Sequence, residues 1–166
     1  IIMDEPSSSL TSDELKQLVV ERMDERYAWK ITADDLIFVP GVVSGFNLVC
    51  QALSGGVGSM IMQTPVYPPF LAAPRNGGID GITVDLVQDR TGQYSIDFEA
   101  FEKAIRPDTR VFLLCNPHNP VGRVFRKDEL EKLAEICLRH NVAICSDEIH
   151  SDLIYGGYRH IPIASL

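Results

Sequence analysis

Positive charge is what this chain has least to spare: 15 lysines and arginines stand against 23 aspartates and glutamates in 166 residues, a formal net charge of −8. With a pI near 4.9, it lacks the basic face that nucleic acid or an anionic membrane would demand of a main partner. Long apolar runs are missing too. None approaches the ~20 residues of a membrane span, and Ile1-Ile2-Met3 is too short, and lacks the basic flank, for a secretory signal. Cysteine is thinly scattered: Cys50, Cys115, Cys137 and Cys145 form no C-x-x-C pair and no ligand-like spacing with histidine. Free thiols follow, mostly in or beside apolar runs, and with them a reducing, cytoplasmic setting. Repeats and low-complexity tracts are also absent. What remains is 45% hydrophobic and 23% charged, an ordinary soluble composition with length enough for one real core.

Local signals divide the chain into alternating strands and helices. Residues 1–10, with Pro6-Ser7-Ser8-Ser9, read as a loose lead-in. Thr11-Ser12-Asp13-Glu14 has capping-box spacing and opens a helix whose Leu15, Leu18, Val19, Met23 and Tyr27 form one apolar stripe. A strand is expected over 36–39, broken by Pro40-Gly41, then a helix over about 43–53 stopped by Gly55-Gly56. A strand over 59–63 and a short helix reaching Ala73 follow, with a turn over 75–78. Further strands are expected over 82–87, 110–115 and 142–146, a turn over 89–92, and helices from Asp97 to about Ile105 and over 127–140. This alternation predicts a largely parallel sheet with crossover helices.

Two motifs stand at the ends of strongly apolar runs. Asn116-Pro117-His118-Asn119-Pro120-Val121-Gly122 follows one, and Ser146-Asp147-Glu148-Ile149-His150 closes the next. Both deliver polar side chains to the carboxyl ends of neighbouring strands, where open α/β sheets bind ligands. Asn119, between prolines, offers an amide to an oxyanion. Asp147 emerges from a buried strand and needs a cationic partner; a protonated pyridine nitrogen would serve. Glu148, His150 and Asp152 make a metal cluster conceivable, but neighbours on a strand face opposite ways, so no metal site is assigned. Tyr67, held among Pro65, Pro68 and Pro69, can present a flat stacking surface. The Gly41-Val42-Val43-Ser44 turn points free N–H groups at a possible anion. By contrast, Gly55-Gly56-Val57-Gly58 lies after a helix, the wrong end for phosphate, and no dinucleotide fingerprint remains. His118, His140 and His160 read as surface or loop histidines, His140 suiting a helix C-terminus.

In order and spacing, these stretches resemble the fold-type I pyridoxal-phosphate enzymes of the aspartate aminotransferase superfamily. The likeness is to class I/II aminotransferase-like proteins of the cystathionine β-lyase branch, carried also by Phe38-Val39-Pro40-Gly41-Val42-Val43, Gln63-Thr64-Pro65-Val66-Tyr67-Pro68-Pro69-Phe70 and Tyr94-Ser95-Ile96-Asp97-Phe98-Glu99. The resemblance implies a three-layer αβα large domain, here incomplete: residues 1–166 would be part of the cofactor-binding domain, with the small C-terminal domain absent. It implies pyridoxal 5'-phosphate as cofactor, an amino acid as substrate and a homodimer, without nucleic acid or membrane. Val42 and Val43 N–H groups would hold the phosphate and Tyr67 would stack on the ring. Asn119 would bond the phenolic oxygen, Asp147 would pair with the ring nitrogen, and His150 would stand where many relatives carry a tyrosine.

One departure limits the likeness. The family's Schiff-base lysine lies in a Ser-x-x-Lys segment well past the Asp147 position, whereas Lys16, Lys30, Lys103, Lys127 and Lys132 all precede it. The expected lysine therefore lies beyond Leu166, no catalytic residue is present, and these 166 residues alone should be inactive. The reading is a fragment of a C–S β-lyase acting on cystathionine-like sulfur amino acids. An aminotransferase is the alternative, and an effector-binding domain of a transcription regulator is an alternative of another class.

Overall fold

The computed structural model describes residues 12–166; the expected lead-in and the capping residue Thr11 lie outside them. Four parallel strands make the central sheet: β1 (Ser59–Thr64), β2 (Asp80–Asp85), β5 (Thr109–Cys115) and β6 (Ala143–Asp147), in the order β2-β1-β5-β6. A separate antiparallel pair, β3 (Val87–Gln88) and β4 (Tyr94–Ser95), closes over the turn at Asp89, whose Oδ1 accepts from the N–H groups of Thr91 and Gln93. The strand expected over 82–87 is thus two pieces, the first starting earlier.

Side-chain alternation along the strands feeds two cores. Met60 and Met62 of β1 with Val111 and Leu113 of β5 pack on one face against Phe46 and Cys50 of α2 (Val42–Ser54) and Phe70 of α3 (Pro68–Asn76). Ile61, Phe112 and Leu114 face the other way, against Phe101 of α4 (Phe98–Ala104) and Leu130, Leu133 and Ile136 of α5 (Lys127–Arg139). The result is the expected three-layer αβα arrangement. Asp97 caps α4 by accepting from Ala100 N–H at 2.9 Å, and Gly55 ends α2 with φ 61°.

Three expectations need correction. Residues 36–39 form no strand: they join no ladder among the described residues, and Ile37 is 85% exposed. Helix α3 does not stop at Ala73 but runs through Pro74 to Asn76, absorbing part of the expected turn. The first helix, α1 (Ser12–Tyr27), is present, but none of its residues is buried, so its apolar stripe meets no core in the described residues. It is tied down instead by Arg22 and Arg26, each 2.6 Å from Asp152 beyond β6.

Candidate cofactor-binding site

β1, β5 and β6 are neighbours in the sheet, and their carboxyl ends open at one edge of it. Each hands a different group to that edge. β1 runs out through Pro65 to Tyr67, which starts α3. β5 ends at Cys115, and the chain then turns through the Asn116–Gly122 motif. β6 ends at Asp147 itself. The Asn116 N–H donates to the Asp147 carbonyl at 3.0 Å, and the Tyr67 N–H to the Asn119 carbonyl at 3.0 Å, so the three strand ends are joined by backbone bonds.

The N-terminus of α2 completes the enclosure. Its cap, Gly41, has φ 114°, a conformation open to glycine and strained for other residues, although a Cβ would meet nothing within 4 Å. No side chain caps this end; the first turn bond is Gly45 N–H to Gly41 O. The N–H groups of Val42, Val43 and Ser44 therefore carry the helix's positive end toward the cavity.

A cavity of about 460 Å³ is lined by all six residues singled out in the sequence: Val42, Val43, Tyr67, Asn119, Asp147 and His150. Cys115, Ile149 and Ser44 line it as well. Sequence reasoning passed over Cys115 and Ile149, although Cys115 shares the strand face of Val111 and Leu113. Burial pushes the Cys115 thiol up to about 11, so it is neutral, and its Sγ accepts from the Asn119 N–H at 3.4 Å.

Asp147 is buried, and among the described residues no lysine, arginine or histidine makes an ion pair with it. Its Oδ1 accepts from the Ile149 N–H at 3.1 Å. Burial lifts its carboxyl above the ordinary range; that N–H bond and the nearby His150 oppose the rise, while Glu148 adds to it. Glu148 itself points elsewhere, accepting from Ser146 Oγ at 2.9 Å and Ile163 N–H at 3.2 Å and meeting His160 Nε2 at 2.7 Å. The two carboxylates thus have different partners, although Glu148 lies just past the end of β6 and not on the strand as expected.

The histidine expectations fare unevenly. His140 does end α5, half-exposed, 2.9 Å from Glu102. His118 and His160 are loop residues, as one half of the expectation had it, but not surface ones; both are buried. His118 turns its ring inward to the Pro65 carbonyl at 2.8 Å, and His160 packs edge-on against Tyr27 while pairing with Glu148. Asn116 is also buried, its Oδ1 taken by the Phe125 N–H at 3.0 Å, so it braces the motif and leaves the cavity to Asn119.

The donor set can be tested against a flat, phosphorylated, protonated heterocycle. A buried carboxyl group without a cation suits a ring N–H⁺, uncapped helix N–H groups suit a dianion, and an aromatic face and an amide suit the ring and its oxygen. The residues fit such a group. Fold and site together define an α/β protein with a polar-lined cavity at the carboxyl edge of its parallel sheet.

The chain belongs to the aminotransferase class I and II family, whose model matches residues 7–166. It is 41% identical over 152 residues to the cystathionine beta-lyase PatB of Bacillus subtilis, covering 91% of this chain and 39% of that protein. Cystalysin from Treponema denticola, a structure containing a pyridoxal 5'-phosphate cofactor, superposes with a TM-score of 0.86 at 39% identity, over 95% of this chain and 40% of its own. An aspartate aminotransferase of Geobacillus stearothermophilus is 29% identical over 161 residues, 97% of this chain and 40% of that protein. The chain thus spans about two fifths of the length of these relatives.

Proposed function

We propose that this chain is the cofactor-holding part of a pyridoxal-phosphate-dependent C–S β-lyase acting on sulfur amino acids of the cystathionine type. The observation that supports the reading is the buried Asp147, which makes no ion pair among the described residues, in one cavity with the uncapped N-terminus of α2 and the ring of Tyr67. When bound, the cofactor supplies an electron-withdrawing ring that weakens the bonds at the α-carbon of an attached amino acid. Everything else assigned to these residues is holding and orienting. Val42, Val43 and Ser44 N–H groups bind the phosphate, and Tyr67 excludes water from one ring face. The Asn119 amide donates to the phenolic oxygen, with His150 beside it. The Asp147 carboxylate would pair with the proton on the ring nitrogen, and the ring cation would in turn offset the cost of burying that carboxylate. No lysine lines the cavity, so the base that removes the α-proton is assigned to the rest of the whole protein, as is the small domain.

The class of relatives leans toward elimination: removal of the α-proton and departure of the β-sulfur break the C–S bond, releasing a thiol and, after hydrolysis, pyruvate and ammonia. Aminotransferase chemistry is kept as a second reading because of the aspartate aminotransferase likeness. Incubating the full-length protein with pyridoxal phosphate and cystathionine decides between them. Release of thiol and pyruvate supports the lyase; amino transfer to a 2-oxo acid without thiol release supports the alternative; neither reaction sinks both. The four free thiols fit a cytoplasmic protein. A homodimer is proposed from the outer face of α2, where Leu48, Val49 and Leu53 lie exposed, as do Val57 just past the helix and Leu71 of α3. A helix apolar on both sides calls for a cover on each, and a second copy is the cover proposed.

A further inference from the structure

We infer that His118 is a positioning residue: its imidazole, lodged between the loops after β1 and β5, fixes where the Tyr67 ring stands relative to Asn119. The inference rests on the cofactor reading above and extends it to a residue that does not line the cavity.

The ring of His118 is buried, and its Nε2 lies 2.8 Å from the Pro65 carbonyl. A carbonyl can only accept, so Nε2 carries the hydrogen. Burial keeps the imidazole below the ordinary histidine range, against the opposing pull of the Pro65 and Cys115 carbonyls, and Nδ1 makes no well-formed hydrogen bond among the described residues. An apolar side chain would fill this space, against the Phe125 ring 5.7 Å away, without that orphaned nitrogen. The bond to Pro65 is what an apolar residue could not make.

Its location gives that bond its effect. Pro65 begins the short segment that carries Tyr67, while His118 immediately precedes Asn119. The backbone of His118 is itself clamped: its N–H donates to the Arg123 carbonyl at 2.7 Å and its carbonyl accepts from the Gly122 N–H at 2.9 Å. The imidazole is therefore anchored on a rigid loop and reaches across to the other. With the Tyr67 N–H bond to the Asn119 carbonyl, two hydrogen bonds join the segment bearing the stacking ring to the loop bearing the amide. With one, that segment can pivot; with two, its angle is set. His118 touches no bound group and acts through Tyr67.

The test uses the full-length protein with pyridoxal phosphate and reads cofactor dissociation and the visible circular dichroism of the bound cofactor, alongside the melting temperature. His118→Leu should weaken retention about tenfold, the scale of one buried hydrogen bond lost with its acceptor stranded, and flatten the dichroic band. His118→Gln keeps an amide N–H where Nε2 stood and should restore both to within about threefold of wild type; His118→Asn, too short to reach Pro65, should not. If the leucine variant fails to fold, the Gln–Asn contrast carries the same comparison. In a Tyr67→Ala background, His118→Asn should change retention less than about twofold, because the group it positions is gone. Unchanged retention and dichroism in both the leucine and asparagine variants, or a full additional loss in the Tyr67→Ala background, overturns the inference. A wild-type protein that takes no cofactor overturns the proposed function instead, and this role with it.

Discussion

Asp147 buries an acid whose charged form is unfavourable, because burial raises its proton affinity above that of the unfolded chain. The folded state binds this proton more tightly, so the contribution to stability is full below the unfolded value of 3.8 and is lost as pH rises through the higher folded value. Asp147→Asn should therefore raise the melting temperature of the cofactor-free protein at pH 7, with the gain fading below about pH 4 in a pH series of thermal scans. In the full-length protein the same change should lower turnover by roughly 10²–10³, the range for one preorganised electrostatic group; near-normal turnover would remove the ring-nitrogen role. Tyr67→Ala should weaken pyridoxal-phosphate binding about tenfold or more, at least as much as His118→Leu, because it removes both the aromatic contact and its buried area, measured by equilibrium dialysis. These residues were legible because each follows an apolar run or sits between prolines. The burial of His118 was not: its bond is to Pro65, a partner 53 residues away in the chain, and no local pattern reports such a neighbour.

Among the elements, strands were read well where alternation and apolar content agreed, as in β1 and β5, whose odd and even positions serve different cores. The failure at 36–39 has a physical cause: Ile37, Phe38 and Val39 are strand-forming residues, but a strand exists only with a pairing edge, and among the described residues they find none. The turn signal at Arg75-Asn76-Gly77-Gly78 takes effect later than expected, since α3 runs on through Pro74 to Asn76 before Gly77 caps it. Two elements depend on features whose removal is measurable. Gly58, at the entry to β1, has φ 92°, and a Cβ there would stand 2.3 Å from the Asp108 carbonyl oxygen. Gly58→Ala should cost about 1–3 kcal/mol in urea denaturation, from strain that the strand pair cannot relieve. At the start of α5, Glu129 is buried, accepts the Arg126 N–H at 2.9 Å and pairs with Arg123 at 2.5 Å. Glu129→Ala strands that arginine and frees the helix end, and should cost roughly 3–5 kcal/mol by the same measurement.

At the scale of the molecule, the exposed apolar face of α2 and its neighbours is the feature most in need of an occupant. If a second copy covers it, Leu48→Glu with Leu53→Glu should turn a full-length dimer into a monomer in sedimentation velocity; a dimer of unchanged stability would place the interface elsewhere. The topology also bears on how the cavity comes to exist. β1 pairs with β2 across one short helix, but with β5 only after a much longer stretch of chain, and β6 joins last, along β5. The central position of β5 means that Tyr67 and Asp147 have no shared surroundings until it is seated. Contacts between distant parts of a chain form late, so the order of assembly is expected to leave the outer strand pair in place while the cradle is still open. A newly made chain would then spend time with its β1–β2 pair built, its apolar α2 uncovered and no pocket to fill, an interval during which chaperone contact matters more than cofactor supply.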